Sequence, residues 1–419
     1  MRVLILGSGA REHAVAWKFS KSHRISGLYI APGNAGTDDL GENLPDLNPE
    51  DPKEVLGACK DRRIDMVFIG PEAPLVAGVA DILREEGIPV FGPGRNAAKL
   101  ESSKVFSKEF MRRNAIPTAK AQCIDSLESL ERELENMRGK VVLKKNGLAA
   151  GKGVFESSDR EKLYDFGEKI LGNDTLLLEE FLEGYEISVF CLIDGEQYKI
   201  LPVCADFKKA QEGDVGPNTG GMGAICPVPS VSGHLMDAIQ KEVVEPTMRG
   251  MAKENLIYRG VLYFGLMVTE KGPKLLEYNV RFGDPETQVL LPLIDSDFGN
   301  LAEATCTGRL SDFPLQISPH YSLGVVVASK GYPGAYQKEI PVKPIPIFPE
   351  KDALVFHAST KKEGDSILTG GGRCFTVVGL GPTLLNANVR AYEAVSRVMF
   401  KGAWHRNDIG KKFFIDEET

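Results

Sequence analysis

Leu275-Leu276-Glu277-Tyr278-Asn279-Val280-Arg281-Phe282-Gly283-Asp284-Pro285-Glu286 starts as an apolar strand and then carries a polar side chain at every second position. Side chains alternate across a strand, so Glu277, Asn279 and Arg281 are expected on one face. Two oxygen donors with an arginine in line suit a divalent cation bridging polyphosphate oxygens, and the arginine suits a transferring phosphoryl group. An apolar core could not host three such groups unpaired; the competing explanation is an exposed sheet edge. The same run closes a hairpin, with strands over 262–269 and 274–279 and a turn at Lys271-Gly272-Pro273.

Upstream of the hairpin, strands are expected over 187–193 and 198–203. Between them and the hairpin lies Gly216-Pro217-Asn218-Thr219-Gly220-Gly221-Met222-Gly223, read as a loop that lets backbone approach a small ligand closely. Asp206, Lys208 and Lys209 lie just before it. Further upstream is a small unit with a helix over 127–137, a strand over 141–144, a glycine-rich turn, a helix and a strand over 176–180. Its turn, Gly147-Leu148-Ala149-Ala150-Gly151-Lys152-Gly153, is one residue short of a Walker A loop and lacks the following Ser or Thr. Lys144 and Lys145 precede it, which suits a strand-borne lysine and a flap closing over nucleotide phosphates. Leu176-Leu177-Leu178-Glu179-Glu180-Phe181-Leu182 ends in two acids, where a carboxylate could accept an adenine amino group or simply face solvent.

The first hundred residues alternate strand and helix, which implies a parallel sheet covered by helices. Its strand ends carry Gly7-Ser8-Gly9-Ala10-Arg11-Glu12-His13, Ala31-Pro32-Gly33-Asn34-Ala35-Gly36-Thr37 and Gly70-Pro71-Glu72, where such sheets bind ligands. Gly7 and Gly9 begin a dinucleotide fingerprint, but Glu12 stands where the third glycine belongs and no acid follows the second strand. That disfavours an NAD-dependent oxidoreductase. The helix start after Gly9, with Arg11, still suits a phosphate. A helix is expected over 75–86 and another over 103–113, ahead of a boundary at Ile116-Pro117. Beyond Ser318-Pro319 a β-rich stretch with a strand over 323–328 closes on a helix over 384–400.

The 419 residues, 42% hydrophobic and 26% charged, fit a globular chain of several domains. A net charge of −8 without a basic block argues against nucleic acid as the main partner. Seven scattered cysteines contain no C-x-x-C pair and read as small core residues. Arg2-Val3-Leu4-Ile5-Leu6 reads as a strand rather than a secretion signal, and no apolar run is long enough to span a membrane. A cytoplasmic location is the expectation.

In order along the chain, GSGAREH, APGNAGT, IGPEAPL, LESSK, IPTA, GLAAGKGV, LEEFLEG, GPNTGGMGA, LEYNVRFGDPETQ, FHAST and GGR resemble the phosphoribosylamine–glycine ligases, a family of ATP-grasp enzymes of purine biosynthesis. The resemblance implies an α/β and α+β multidomain fold. It comprises an N-terminal parallel-sheet domain over 1–102, an ATP-grasp unit over 103–316 with a mobile lid over about 117–184, and a C-terminal β-rich domain over 317–419. It implies ATP as co-substrate, Mg2+ or Mn2+ as cofactor, and glycine and 5-phosphoribosylamine as substrates joined through a glycyl phosphate. A monomer is expected, with a weak dimer as the alternative.

By position, the resemblance puts Lys104 and Lys144 on ATP phosphates, with Gly147, Gly151 and Gly153 in the flap. Glu179 meets the adenine amino group, Phe181 and Leu182 offer backbone contacts, and Glu186 holds the ribose. Glu277 and Asn279 are the metal ligands; Arg281, with Lys144, is catalytic. Gly9, Arg11, Asn34, Gly36, Pro71, Glu72, Asp206, Asn218, Thr219, Gly220 and Asp284 shape the substrate side. The chain departs from the family pattern at Lys145-Asn146, commonly Ala-Asp, and at Phe207 and Lys209, commonly His and Arg. Gly265 stands where related enzymes often place a second metal-binding acid.

Overall fold

The structure, a computed structural model, describes residues 1–148 and 153–414. The chain opens with β1 (Arg2–Gly7), α1 (Ala10–Ser20), β2 (Gly27–Pro32), β3 (Glu42–Asn43), α2 (Pro52–Arg62), β4 (Met66–Ile69), α3 (Glu72–Ala77), α4 (Val79–Glu85) and β5 (Val90–Phe91). These strands form one parallel sheet in the order β3-β2-β1-β4-β5. Burial on both faces explains why β1 and β4 are continuous apolar runs. The single helix expected over 75–86 is instead two, broken at Gly78. Gly78 adopts φ +85°, and a Cβ there would meet the Arg95 guanidinium at 2.7 Å. Arg95 in turn donates to the carbonyls of Val76 and Ala77, so the break is a docking point.

Helices α5 (Arg95–Ser102) and α6 (Lys104–Arg113) lead into a lid of β6 (Ala121–Ile124), α7 (Leu127–Asn136), β7 (Val141–Lys145), β8 (Val154–Ser157), α8 (Arg160–Glu168) and β9 (Leu176–Glu180). Its antiparallel sheet runs β6-β9-β7-β8. Ile124, Leu130, Leu134, Leu143, Leu163 and Leu176 give the lid a core of its own. The two larger cores draw on the N-terminal, central and C-terminal elements together. A separate apolar core makes this segment a packing unit of its own.

The central elements are β10 (Tyr185–Ile193), β11 (Tyr198–Ile200), β12 (Ala205–Asp206), β13 (Lys209–Gln211), β14 (Val215–Asn218), β15 (Gly223–Cys226), α9 (Gly233–Ile239), α10 (Glu245–Lys253), β16 (Gly260–Thr269), β17 (Gly272–Asn279), α11 (Glu286–Leu290) and α12 (Phe298–Thr307). Antiparallel β11-β10-β16-β17 forms the floor beneath the lid. The loop expected over 216–223 is partly a strand, because Val215–Asn218 pairs with Lys209–Gln211. Gly216, at φ +83°, accommodates the register shift in that pair.

The chain ends with β18 (Tyr321–Ser329), β19 (Ala353–His357), β20 (Thr360–Glu363), β21 (Ser366–Thr369), β22 (Arg373–Gly381), α13 (Leu384–Val395) and β23 (Ala403–Trp404). The final sheet, β12-β15-β18-β22-β19 with β23 on β18, takes β12 and β15 from the central region. Strands on both sides of residue 317 therefore share one sheet, which ties the C-terminal domain rigidly to the central one. Helix α13 ends at Val395, five residues before the expected end at 400.

Candidate functional site

The strand face that carries Glu277 and Asn279 depends on an irregularity in β17. Gly265 pairs with Glu277 but Leu266 pairs with Leu275, leaving Leu276 as an extra residue. Such a bulge flips the alternation beyond it. Leu275, Tyr278 and Val280 consequently line the core, while Glu277, Asn279 and then Arg281 turn to the opposite side. Without the bulge Glu277 would point where Leu275 points, into the core.

Glu277 has no ion-pair or hydrogen-bond partner among the described residues. With Asn279 it forms a hard oxygen donor pair that suits a divalent cation whose remaining positions go to phosphate oxygens and water. A Cβ on Gly265 would lie 3.3 Å from Glu277 Cγ, so that position adds no donor. Among the described residues no group of three His, Cys, Asp or Glu side chains could hold a metal by itself.

Arg281 lies between two acids. Its Nη2 is 2.9 Å from Glu101 Oε1 and its Nε 3.3 Å from Glu72 Oε2, with Asn279 Oδ1 at 3.4 Å from Nη2. Burial opposes the guanidinium charge, but Glu101 and Glu72 more than offset it and raise its pKa. Burial also works against Glu72, yet Arg281 and Arg11 hold that carboxyl below its usual range. Glu101 is raised by burial despite Arg281, and its Oε2 accepts from Val280 N at 2.7 Å. Glu101 carried no role in the sequence reading; only its place in LESSK, just ahead of the lid, pointed to it.

On the lid, β7 and β9 lie side by side, and Glu179 Oε2 sits 3.0 Å from Lys144 Nζ and 3.3 Å from Lys108 Nζ. Lys144 also donates to the Leu276 carbonyl at 3.4 Å, so the lid lysine touches the bulge beside Glu277. Lys145 points to the other side, 3.9 Å from Asp174. Lys104 donates to the carbonyls of Asn146 and Gly147 at 3.4 and 3.3 Å, and burial lowers its pKa against the pull of Glu277. Asn146 Oδ1 accepts from Val105 N at 3.0 Å, which fastens the flap's approach to the start of α6. Gly147 N donates to Asp174 Oδ2 at 3.1 Å, so a carboxylate does stand beside the flap. Gly151 lies outside the described residues; the carbonyl of Gly153 accepts from Lys145 N at 2.7 Å. Phe181 follows β9 with Lys140 Nζ 4.0 Å from its ring centroid, and Leu182 comes next. Glu186, the second residue of β10, is held below the usual carboxylate range by Lys208 at 2.5 Å.

Across the cleft, around Asp206 and Asp284, more acids gather. Burial pushes the Asp206 carboxyl up to about 7, opposed by Lys208. Glu286, 3% exposed, accepts from Ser188 Oγ at 3.2 Å, and that hydroxyl is also within 3.0 Å of Tyr263 Oη. Thr219 Oγ1 donates to the Lys208 carbonyl at 2.8 Å, next to Asn218. Gly220 N donates to Tyr332 Oη at 3.0 Å, while its carbonyl accepts from Arg373. Asp284 is clamped by Arg373 at 3.2 Å and by Gln288 Nε2 at 2.7 Å. Arg373 belongs to the GGR string and was given no role in sequence. Phe207 lies under Arg406 and Lys412, at 5.4 and 4.8 Å from its ring centroid, and Lys209 reaches Glu156 of the lid at 3.4 Å.

The N-terminal loops are tied internally. Glu12 accepts from Gly9 N at 2.6 Å and pairs with Arg11 Nε at 2.5 Å; Arg11 Nη1 donates to the Phe282 carbonyl at 3.1 Å. The residue in place of the fingerprint's third glycine thus puts its own carboxylate at the start of α1. A Cβ on Gly7 or Gly70 would meet Glu12 at 2.5 or 2.1 Å, so these glycines make room for it. Asn34 accepts from Gly36 N at 2.8 Å and donates to the carbonyls of Ser8 and His357 at 2.8 and 2.9 Å. A Cβ on Gly36 would lie 2.3 Å from His13. Asn34 and Gly36 therefore lock the N- and C-terminal domains together. Pro71 precedes α3 and directs Glu72 at Arg281.

Three family profiles match in succession: the phosphoribosylglycinamide synthetase N domain over 1–101, its ATP-grasp (A) domain over 102–287 and its C domain over 322–412. A phosphoribosylamine–glycine ligase of Rhizobium meliloti is 42% identical over 98% of both chains. One of Vibrio cholerae is 40% identical over 100% of both. The crystal structure of a phosphoribosylamine–glycine ligase from Thermotoga maritima, 35% identical, superposes with a TM-score of 0.86 over 98% of this chain and 100% of that one. The chain belongs to the phosphoribosylamine–glycine ligase family, with the family's ATP-grasp domain at its centre.

Proposed function

We propose that the protein uses ATP to ligate glycine to 5-phosphoribosylamine, giving glycinamide ribonucleotide, ADP and phosphate. The observation that carries this reading is the contact of Lys144 Nζ with the Leu276 carbonyl, 3.4 Å away. It brings a phosphate-binding lysine of the lid to the strand whose next residue is Glu277, so nucleotide phosphates and metal ligands share one cleft.

In this reading Lys104 and Lys144 neutralise phosphate oxygens, Glu179 accepts from the adenine amino group, and Glu186 meets the ribose. Glu277 and Asn279 would hold Mg2+ or Mn2+, which supplies charge neutralisation to the polyphosphate when bound. Arg281 orients the γ-phosphate against the glycine carboxylate, whose oxygen attacks phosphorus as ADP leaves. The phosphoribosylamine nitrogen then attacks the acyl carbon of glycyl phosphate, and phosphate departs with one former glycine oxygen. The acid-rich region of Asp206 and Glu286, near Thr219, Gly220 and Asp284, faces the acceptor side. A preorganised donor at a transferring phosphoryl group is typically worth ~3 kcal/mol.

Among the described residues no helix is long and apolar enough to cross a membrane. A monomeric cytoplasmic enzyme acting on small molecules remains the expectation. The test is turnover with glycine labelled by ¹⁸O in its carboxylate. Label in the released phosphate, with ADP formation dependent on both glycine and phosphoribosylamine, is the expected result; unlabelled phosphate during turnover overturns the acyl-phosphate route.

A further inference from the structure

Lys108 is a buried lysine that the proposed chemistry does not use. It stands one turn after Lys104 on α6, so both face the cleft. Only 8% exposed, its Nζ donates to Thr118 Oγ1 at 2.6 Å and to the Ala119 carbonyl at 3.4 Å, and it lies 3.3 Å from Glu179 Oε2. Thr118 Oγ1 in turn donates to the Leu275 carbonyl at 2.6 Å, just before the bulge of β17. Lys108 therefore links the lid's Glu179 to the strand that bears Glu277.

Glu179 itself is half satisfied. Oε2 is shared by Lys144 and Lys108, whereas Oε1 is buried and has no hydrogen-bond partner among the described residues. A buried carboxylate oxygen with its lone pairs unmet is costly, and a ligand donor is the ordinary remedy. If Lys144 moves to nucleotide phosphates, Glu179 loses its nearer cation. Lys108 is then the contact that keeps the carboxylate from turning away.

We infer that Lys108 is a positioning residue for purine-base selection: it holds the Glu179 carboxylate in place through Oε2, so that Oε1 accepts from a 6-amino group. The inference rests on the reading of this cleft as an ATP site. A carboxylate oxygen held there accepts from the amino group of adenine and repels the 6-oxo group of hypoxanthine. A Glu179 side chain free to turn no longer presents Oε1 to the base and loses the distinction. Base selection thus follows the orientation of Glu179, and Lys108 is the cation left to fix it.

The experiment is calorimetric binding of ATP and of inosine triphosphate, each with Mg2+, to the full-length protein. It requires no ligase activity, so an absence of ADP release with glycine and phosphoribosylamine would refute the proposed reaction and leave this inference to its own readout. The wild-type protein should bind ATP tighter by on the order of a hundredfold. Lys108→Met should narrow that ratio by roughly tenfold or more. Glu179→Gln should narrow it as well, and the double variant should narrow it no further than the larger single effect. Thr118→Val, a milder change that frees Lys108 from its anchor, should narrow it less and reports even if Lys108→Met does not fold. A wild-type protein that binds the two nucleotides equally overturns the inference, as does a wild-type ratio in Lys108→Met or in Thr118→Val.

Discussion

Arg281 and Glu101 form a buried ion pair, with Nη2 and Oε1 2.9 Å apart, and the partner acid comes from α5, before the lid begins in sequence. The residue proposed to orient the γ-phosphate is therefore also a structural cation. A polar strand face alone suggests that Arg281 could be removed without harm to the fold. The ion pairs with Glu101 and Glu72 show otherwise.

Arg281→Ala should lower turnover by at least about a hundredfold, the usual effect of losing a preorganised donor. It should also lower the melting temperature, because breaking a buried pair on one side costs about 3–5 kcal/mol. Adding Glu101→Gln removes the stranded carboxylate. The double variant should recover much of the melting temperature and none of the turnover. Recovery of both would make Arg281 purely structural.

Lys144 and Lys145 should separate sharply. Lys144→Ala is expected to raise the KM for ATP by tenfold or more, on the order of one charge-assisted contact. Lys144→Arg should rescue only in part, since a planar fork replaces a compact ammonium beside Glu179. Lys145→Ala removes a 3.9 Å contact with Asp174 and should change the KM by less than about threefold. Equal losses at both positions would contradict the observed strand register.

Glu277→Gln keeps the size of the side chain and removes its charge. Metal affinity should fall by roughly tenfold or more, so turnover at low Mg2+ drops and partly returns at high Mg2+ or Mn2+. Titration of turnover against metal, with direct Mn2+ binding by electron paramagnetic resonance, checks it. Unchanged Mn2+ affinity would remove Glu277 from the metal site.

His13 and His357 meet at the contact between N- and C-terminal domains, their ring planes tilted by 54°, with His13 Nδ1 accepting from His357 N at 2.8 Å. Burial, and the neighbouring His357 in second place, lowers His13 to about 3; burial lowers His357 to about 4. Both rings are neutral in the fold and titrate near 6.5 when unfolded. Stability from this pair is therefore complete above about pH 6.5 and is lost as pH falls toward 4. At pH 5 the loss should be about 2 kcal/mol for each ring. Melting curves from pH 7.5 to 5 should slope down, and His13→Gln should flatten the slope.

Much of the site was legible because its residues sit at short sequence spacings. Lys144 stands four residues into its strand, Glu179 stands at the end of another, and Glu277, Asn279 and Arg281 recur at every second position. Alternation and glycine-rich turns encode such patterns locally. The reading missed Lys108, Glu101, Asp174 and Arg373, whose partners lie far away in the chain, as Arg373 and Asp284 do. Nor did it show that Arg11, Asn34 and Asp284, placed on the substrate side by the resemblance, each have an internal partner as well: Glu12, Gly36 and Gln288 respectively.

From the residues alone follow the layered order of the chain, the parallel first sheet, the small αβ unit ahead of β10 and the identity of the strand bearing Glu277. These follow from apolar periodicity and turn residues, which act over a few positions. Only the tertiary structure decided that a bulge at Leu276 turns Glu277 away from the core, that α3 and α4 part at Gly78, and that β12 and β15 join the C-terminal sheet. It alone decided that Lys108 and Lys144 share one carboxylate. Strand pairing and buried charge are settled between segments distant in sequence, where the desolvation of each group depends on which partner the fold delivers to it.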